Sequence, residues 1–257
     1  MTDPRIAPAA ARFGDAAGLY EQARPGYPEE LLDALAARTP LGPGTVVVDL
    51  AAGTGKLTRQ LVARGATVTA IEPTAGMRRQ LGAAVPGARV LDGTAEDMPL
   101  VDAAADVVTV AQAFHWFRTA DALDELARVL RPGGWLALLW NEPPLAGWAR
   151  ELWDLRHDLT GFDGAYPGRG WEPVVDADPR FGVREVVTVS HRVITTRADL
   201  TADTATRSYV HVLDPGDRAA VLERVAAFVA EHPDTAGRTE LTYERPSVLH
   251  LCRRLAT

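Results

Sequence analysis

Short apolar runs alternate with segments of helix length from Thr45 onward, and this alternation is the feature that most constrains the fold. The runs are Val46–Leu50, Thr67–Glu72, Arg89–Leu91, Val107–Val110 and Trp135–Trp140. Nearly continuous apolar strands separated by helices of about 10 to 15 residues are typical of a parallel sheet that is buried on both faces. Such sheets bind ligands at the carboxyl ends of their strands. We therefore expect the functional residues to follow these runs.

The alternation of apolar runs with helix-length segments ends after Trp140. Prolines 143 and 144 and the stretch Gly161–Gly170 bracket a Trp-rich segment that does not fit a plain βα unit. Two strands are predicted at Arg184–Thr195 and Glu240–Cys252, and two helices at Arg197–Leu213 and Pro215–Glu231. We expect one domain over residues 1–257, with a core at 40–142 and 183–257, an N-terminal helical cap at 1–39 and an insertion at 143–182.

Composition excludes several classes of protein. The longest apolar runs are far shorter than the roughly 18 residues that a membrane span requires, and the net charge of -7 gives no attraction to a phosphate backbone. The single cysteine, Cys252, cannot form an internal disulfide and is expected to be a buried thiol. We expect a cytoplasmic protein without a membrane or nucleic-acid partner.

A glycine-rich turn joins the first predicted strand to the following helix. It runs from Asp49 through Gly53 and Gly55, with Thr54 as the expected helix cap, and such a turn lets a ligand approach the backbone and the helix N–H groups. Glu72 ends the next strand, where a carboxylate can accept hydrogen bonds from both hydroxyls of a ribose. The pattern predicts a cofactor that contains a nucleoside.

The residues around the turn discriminate between cofactors. Thr58 stands where a dinucleotide fingerprint has its third glycine, which disfavours NAD. A phosphate-binding loop would need glycine at the position of Leu50 and Ser or Thr at that of Leu57. Asp49 would repel a pyrophosphate but could pair with a cationic amine, which suits a ligand with an amino-acid moiety.

The segment Asp49–Gly55 resembles the Asp-x-Gly-x-Gly-x-Gly turn of the class I S-adenosylmethionine-dependent methyltransferases, with Ala51 in place of the first glycine. The resemblance is to the small-molecule branch that includes the ubiquinone-biosynthesis and trans-aconitate enzymes (methyltransferase type 11), and it covers most of residues 13–140. Glu72–Pro73, Gly93–Leu100 and Arg128–Gly134 match further family motifs. The resemblance implies a Rossmann-like, seven-stranded, mostly parallel sheet with helices on both faces, an N-terminal helical cap and helical insertions after the fifth and sixth strands.

The resemblance also implies which residues hold S-adenosylmethionine. The expected set is Tyr20, Arg24, Asp49, Ala51, Gly53, Gly55, Glu72, Pro73, Thr94, Ala95, Glu96, Ala111 and Gln112. Three groups of the segment Gly93–Leu100 are candidates for the contact to adenine: Thr94, Glu96 and a backbone group. Tyr20, Arg24 and Tyr27 resemble an N-terminal family pattern in which the first helix folds over the cofactor. The alternative is that Tyr27 and Pro28 only fix this helix to the sheet edge.

His115 follows the fourth strand, where relatives place residues between cofactor and substrate. Histidine can take a proton near neutral pH, so His115 is the candidate general base, with packing against the cofactor as the alternative. The expected substrate-binding residues are His115, Trp116, Trp148, Tyr166, Trp171 and Tyr209. Their aromatic rings would form a substrate lid or belong to the core.

The resemblance therefore implies an enzyme that transfers a methyl group from S-adenosylmethionine to an O, N or C nucleophile of a small molecule, leaving S-adenosylhomocysteine. No metal is expected, because the sulfonium is already an activated leaving group. We expect a monomer or homodimer with a role in secondary or cofactor biosynthesis. Two alternatives are open: a cofactor-binding scaffold or cyclase of the same fold, and an NAD(P)-dependent oxidoreductase.

Overall fold

The computed structural model describes residues 26–117, 119–161 and 170–256. Tyr20, Arg24 and Tyr166 lie outside these described residues, as do residues 1–25 of the expected N-terminal cap.

The described residues divide into two compact units. The sheet unit consists of residues 26–141, 170–189 and 247–256, and the second unit consists of residues 142–161 and 190–246. The expectation of a single domain over residues 1–257 stays a prediction.

Seven strands form one sheet in the order β3-β2-β1-β4-β5-β7-β6. They are β1 (Val46–Leu50), β2 (Thr67–Ile71), β3 (Arg89–Leu91), β4 (Ala105–Ala111), β5 (Leu130–Asn141), β6 (Glu185–Thr195) and β7 (Leu241–Arg253). Strands β3, β2, β1, β4 and β5 pair in parallel, and β7 is antiparallel to β5. This architecture confirms the Rossmann-like fold that the sequence predicts.

Helices connect the strands. They are α1 (Glu29–Ala36), α2 (Lys56–Ala63), α3 (Ala75–Ala84), α4 (Ala120–Val129), α5 (Gly147–Thr160), α6 (Glu172–Asp176), α7 (Arg197–Ala205), α8 (Ser208–His211) and α9 (Pro215–Glu231). Helices α5 and α6 follow β5, and α7, α8 and α9 follow β6, which confirms the insertions expected after the fifth and sixth strands.

Alternate residues of β1 face opposite sides of the sheet, and a separate apolar cluster covers each side. Val47 packs in the cluster that contains Leu31 of α1 and Leu61 of α2, whereas Val48 packs in the cluster that contains Leu126 of α4. All five side chains are at most 1% exposed. Burial on both faces explains why the strand sequences are nearly continuous apolar runs.

The second unit has its own apolar core. Trp148 and Leu152 of α5 pack against Leu200 of α7 and against Val225 and Val229 of α9. Each of the three helices presents an apolar stripe, and none could bury that stripe alone.

Residues 131–134 lie inside β5, where Gly133 N donates to Arg254 O and Arg254 N donates to Gly134 O, which extends the pairing with the end of β7. Two local predictions were wrong. The helix expected at Arg197–Leu213 is divided into α7 and α8. Helix α2 is capped by Gly55 and not by Thr54, without a side-chain hydrogen bond.

No helix among the described residues is long and apolar enough to cross a membrane. Cys252, the single cysteine, is 1% exposed, and burial raises the pKa of its thiol to about 12. The described structure therefore agrees with the expectation of an unreactive, buried thiol.

Candidate functional site

The glycine-rich turn leaves the carboxyl end of β1 through three left-handed residues. The φ angles are 55° at Ala51, 59° at Gly53 and 91° at Gly55. Ala51 stands where the family pattern has glycine, and it takes the left-handed conformation, which costs a non-glycine residue about 1–2 kcal/mol.

The two glycines of the turn differ in what surrounds them. A Cβ added to Gly53 would meet no atom within 4 Å, so its backbone borders open space. A Cβ on Gly55 would lie 3.0 Å from Leu81 Cγ and 3.1 Å from Val85 Cγ2 at the end of α3. Gly53 is therefore the position where a ligand can approach the backbone, and Gly55 permits close packing of α3 against the turn.

Glu72 follows β2 and is hydrogen-bonded to the turn. Its Oε2 accepts from Gly53 N at 3.0 Å, and its Oε1 accepts from Thr74 N at 2.8 Å. The residue is 6% exposed. Because each carboxylate oxygen has two acceptor positions, Glu72 can hold the turn and still accept hydrogen bonds from a ligand.

Asp49 lies beneath the turn and is completely buried. Thr58 Oγ1 donates to one carboxylate oxygen at 2.6 Å, and Thr109 Oγ1 donates to the other at 2.8 Å. Burial raises the pKa of Asp49 to about 6, against the opposing effect of the two hydroxyl donors and with a further upward contribution from Glu72. The side chain of Asp49 has no exposed surface, and its expected pairing with a ligand amine stays a prediction.

The sequence analysis predicted neither Thr58 nor Thr109 as a hydrogen-bond partner of Asp49. Thr58 entered only as a departure from the dinucleotide fingerprint, yet in the structure it binds Asp49. Thr109 is opposite Asp49 in the β1–β4 register. Since the two residues are far apart in sequence, only the strand pairing could have identified Thr109 as a partner.

The segment Gly93–Leu100 forms a tight turn after β3. Thr94 N donates to Asp97 O at 3.1 Å, and a Cβ on Gly93 would lie 2.7 Å from Pro99 Cδ. Thr94 and Glu96 are exposed, whereas Ala95 is buried in the core. The two polar side chains thus stay available for a ligand, and the side chain of Ala95 serves packing.

Another left-handed residue that is not glycine follows β4, the strand beside β1. Gln112 has a φ of 58°, its N donates to Leu139 O at 2.9 Å, and its Nε2 donates to Asn141 O at 3.2 Å. Leu50 and Val110 are paired in register, so Ala51 and Gln112 both lie just beyond the carboxyl ends of neighbouring strands. Clustered backbone strain of this kind is typical of ligand sites.

His115 and Trp116 belong to a single turn of 3-10 helix, Phe114–Trp116, that follows Gln112. Phe114 is completely buried and fixes the turn to the core through an edge contact with the ring of Trp171. His115 and Trp116 are half-buried, and their ring centroids are 4.8 Å apart. The imidazole is thus held on a fixed turn with part of its surface accessible.

Trp148, Trp171 and Tyr209, the remaining described members of the expected substrate-binding set, lie in apolar cores. Trp171 is 1% exposed and stacks on Trp140 with centroids 4.8 Å apart and planes at 10°. Tyr209 is 8% exposed and packs beside His157, with ring centroids 5.2 Å apart. Trp171 and Tyr209 pack in the interior, and Trp148 both packs and borders a cavity of the second unit. The substrate contacts expected of these three residues stay predictions.

Asn141 is a polar residue at the same sheet edge that the sequence reasoning missed. Its Nδ2 donates to Gly26 O at 3.0 Å, and its Oδ1 accepts from Ser247 Oγ. It ends β5 and is 6% exposed. Its position after a strand was a usable signal, because polar residues at carboxyl ends of parallel strands often serve sites.

Within the described ranges, no three His, Cys, Asp or Glu residues are grouped closely enough to hold a metal ion.

The glycine-rich turn lies in a part of the chain that matches a known protein family. Residues 48–138 match the family model described as "Methyltransferase domain". An uncharacterized methyltransferase of Mycobacterium tuberculosis is 42% identical over 240 residues, which cover 89% of this chain and 90% of that protein. A ubiquinone/menaquinone biosynthesis C-methyltransferase of Rubrivivax gelatinosus is 38% identical over 116 residues, which cover 44% and 45%.

Solved structures share the fold at lower identity. A protein from Anaeromyxobacter dehalogenans, assigned as a type II methyltransferase, superposes with a TM-score of 0.64 at 23% identity over 90% of this chain and 97% of that one. One from Anabaena variabilis, assigned to an antibiotic biosynthesis pathway, has a TM-score of 0.59 at 20% identity, with 89% and 98% covered. At these identities the likeness is one of architecture.

Proposed function

The chain belongs to the methyltransferase family, and on that premise we propose that it transfers the methyl group of S-adenosylmethionine to an O, N or C nucleophile of a small molecule. The family and its fold imply use of this cofactor. The observation that carries the proposal is the turn between β1 and α2, where Gly53 borders open space and its N–H is held by the carboxylate of Glu72.

The residues of the turn fit the cofactor. A side chain at Gly53 would project into the open space beside the turn, so glycine preserves that space. Glu72 is an acceptor-only side chain whose oxygens retain acceptor positions, which suits the two hydroxyls of a ribose. When bound, S-adenosylmethionine supplies a methyl group on a positively charged sulfur that leaves as S-adenosylhomocysteine.

We assign different roles to the other candidate residues of the turn. Gly53 admits the ligand, Gly55 allows α3 to pack, and Ala51 sets the path of the backbone. Asp49 acts indirectly, because its hydrogen bonds to Thr58 and Thr109 connect α2 and β4 to the strand that precedes the turn. It is therefore a positioning residue.

The adenine contact is proposed for the segment after β3. Thr94 and Glu96 are exposed and can offer a hydroxyl or a carboxylate, and the backbone of Ala95 lies between them. Pro73, Ala111 and Gln112 complete the proposed contacts at the ends of β2 and β4.

His115 is proposed to take the proton of the nucleophile. A base is required only when the nucleophile is protonated, as in a hydroxyl, an amine or an acidic carbon. The short helix fixes the imidazole, and fixed geometry is what a displacement reaction most needs from a protein. Packing against the cofactor is the alternative role for the same side chain.

The proposal includes a small-molecule acceptor, a biosynthetic role, a cytoplasmic location and a monomeric or homodimeric state. The net charge of -7 supports an acceptor other than nucleic acid, and the single cysteine supports a reducing compartment.

Binding of S-adenosylhomocysteine and of NAD to the purified chain tests the cofactor. We expect S-adenosylhomocysteine to raise the unfolding temperature by a few degrees at about a hundred times its Kd, where linkage gives about 2.7 kcal/mol. Glu72→Gln should reduce the shift, and Glu223→Gln, an exposed control on α9, should not. A shift with NAD alone would refute the proposal.

Transfer of radiolabelled methyl to a pool of small-molecule acceptors then tests the reaction. Binding of S-adenosylhomocysteine without transfer to any acceptor would favour a scaffold or cyclase. Transfer that is lost in Glu72→Gln supports the methyltransferase.

A further inference from the structure

We infer that Arg78 is a positioning residue for the cofactor: it holds the backbone that carries Glu72 and thereby directs this carboxylate towards the ribose hydroxyls. The assignment rests on the proposed function, in which Glu72 accepts hydrogen bonds from the ribose. Arg78 lies in α3, and its guanidinium group reaches back to the carboxyl ends of β2 and β3, which are neighbouring strands of the sheet.

One nitrogen of Arg78 joins the ends of the two strands. Nη1 donates to Glu72 O at 2.8 Å and to Pro73 O at 2.6 Å, both in the segment that follows β2. The same atom donates to Asp92 Oδ1 at 2.8 Å, directly after β3. Because this nitrogen carries two hydrogens, its acceptors must share them and converge on one point. The contacts therefore fix the separation of the two strand ends.

The backbone and the carboxylate of Glu72 are held by different groups. Its N donates to Leu91 O at 3.2 Å, which continues the pairing of β2 with β3 by one residue. Its carboxylate accepts from Gly53 N and from Thr74 N, and Thr74 is the N-cap of α3. The two amides thus hold the carboxylate against the turn, while Arg78 holds the backbone from which it projects.

Neither helix stability nor the ion pair with Asp92 accounts for an arginine at this position. Arg78 is the fourth residue of α3, near the helix N-terminus, where the helix dipole disfavours a cation. The side chain of Asp92 is 70% exposed, and exposed ion pairs contribute little to stability. Helical side chains point towards the N-terminus. A long cationic side chain here is therefore suited to reach the carbonyl groups at the end of β2.

The ribose contact requires a fixed geometry. The 2′- and 3′-hydroxyls of a nucleoside lie side by side, and a carboxylate accepts from both only when its oxygens lie opposite them. Hydrogen bonds weaken steeply when they are misaligned. Asp92 also precedes the segment Gly93–Leu100 that we propose for adenine. Arg78 therefore couples the two parts of the proposed adenosine site.

Displacement of labelled S-adenosylhomocysteine from the full chain by adenosine and by 2′-deoxyadenosine tests the assignment. We expect wild type to bind adenosine about tenfold more tightly, because the deoxy compound lacks one donor to Glu72. Arg78→Met should bring this ratio close to one and weaken S-adenosylhomocysteine. Arg79→Met changes an exposed arginine on the same helix and should retain the ratio.

Asp92→Ala is a second variant, which removes a single exposed acceptor and leaves both carbonyl contacts of Arg78 in place. Loosening of the guanidinium should lower the ratio to about threefold, half the effect on a free-energy scale. The unfolding temperature of each variant is measured in parallel. A merely structural role predicts lower unfolding temperatures and equal losses of affinity for both nucleosides, so that the ratio stays unchanged.

The outcomes separate this assignment from the proposed function. A wild-type chain that does not bind S-adenosylhomocysteine overturns both. Wild type that binds it but does not distinguish adenosine from 2′-deoxyadenosine overturns only the role of Arg78 and Glu72 in the ribose contact. An unchanged ratio in Asp92→Ala, or in folded Arg78→Met, overturns the assignment of Arg78 alone.

Discussion

Replacement of Asp49 by Asn should make the chain progressively more stable relative to wild type as the pH rises, and the size of this change follows from the burial of Asp49. Asp49 has no exposed surface, and burial raises its pKa from an ordinary value of 3.8 to about 6. The unfolded chain therefore releases this proton at lower pH than the folded chain does. The ionised carboxylate is thus a destabilising feature of the folded state.

The sign and size follow from linkage. Because the folded pKa is raised, the penalty is absent well below pH 3.8, grows as the pH rises through both pKa values, and is complete above about pH 6. At about 1.36 kcal/mol per pKa unit, the full penalty is about 3 kcal/mol. About 2 kcal/mol of it arises between about pH 4.5 and 7.5.

Urea unfolding of wild type and Asp49→Asn at these two pH values measures the effect. The constant difference between the variants includes the altered hydrogen bonds to Thr58 and Thr109, but the change in that difference with pH reports Asp49 ionisation alone. We expect Asn to gain about 2 kcal/mol relative to Asp on going from pH 4.5 to 7.5. An unchanged difference would refute the reasoning. Thr109→Val removes one hydrogen-bond donor to Asp49 and should raise the pKa of Asp49 further. The change in stability with pH should therefore move to higher pH.

Three further predictions concern the turn, the candidate base and the core. Gly55→Ala should lower the free energy of unfolding by about 2–5 kcal/mol, the sum of about 1–2 kcal/mol of left-handed strain and about 1–3 kcal/mol of crowding against Leu81. Gly53→Ala should cost only the strain of about 1–2 kcal/mol and should weaken the binding of S-adenosylhomocysteine; equal losses of stability would contradict the distinction. His115→Ala should keep the affinity for S-adenosylhomocysteine and reduce turnover about 10²-fold, measured by labelled methyl transfer; unchanged turnover would exclude a general base. Trp171→Ala should destabilise the chain by about 3–5 kcal/mol in urea unfolding, whereas a substrate contact would leave the stability unchanged.

The strain at Ala51 links stability to the site. Both Ala51 and Gln112 are left-handed and follow neighbouring strands, so the fold holds two costly backbone conformations at one edge of the sheet. The contacts that hold them include the bond from Gln112 N to Leu139 O. A turn shaped in this way before a ligand arrives loses less entropy on binding.

The sequence alone determined the sheet and the position of the turn. Buried parallel strands must be apolar along their whole length, so runs such as Val46–Leu50 were visible without a structure, and all seven strands were predicted. The glycines of the turn, which lie at positive φ, and the acidic residue after the next strand marked the site, because few residue types can serve at such positions. These signals are local, and local signals can be read from a chain.

Tertiary structure alone decided the partners of these residues. That Thr109 meets Asp49 depends on the register of β1 with β4, which joins residues far apart in sequence. Whether Trp171 packs or binds depends on the side chains around it, since an aromatic ring suits both. The bond from Arg78 to Asp92 likewise exists only where α3 meets the end of β3. Composition and spacing specify which groups a chain possesses, and long-range packing specifies which of them remain available for chemistry.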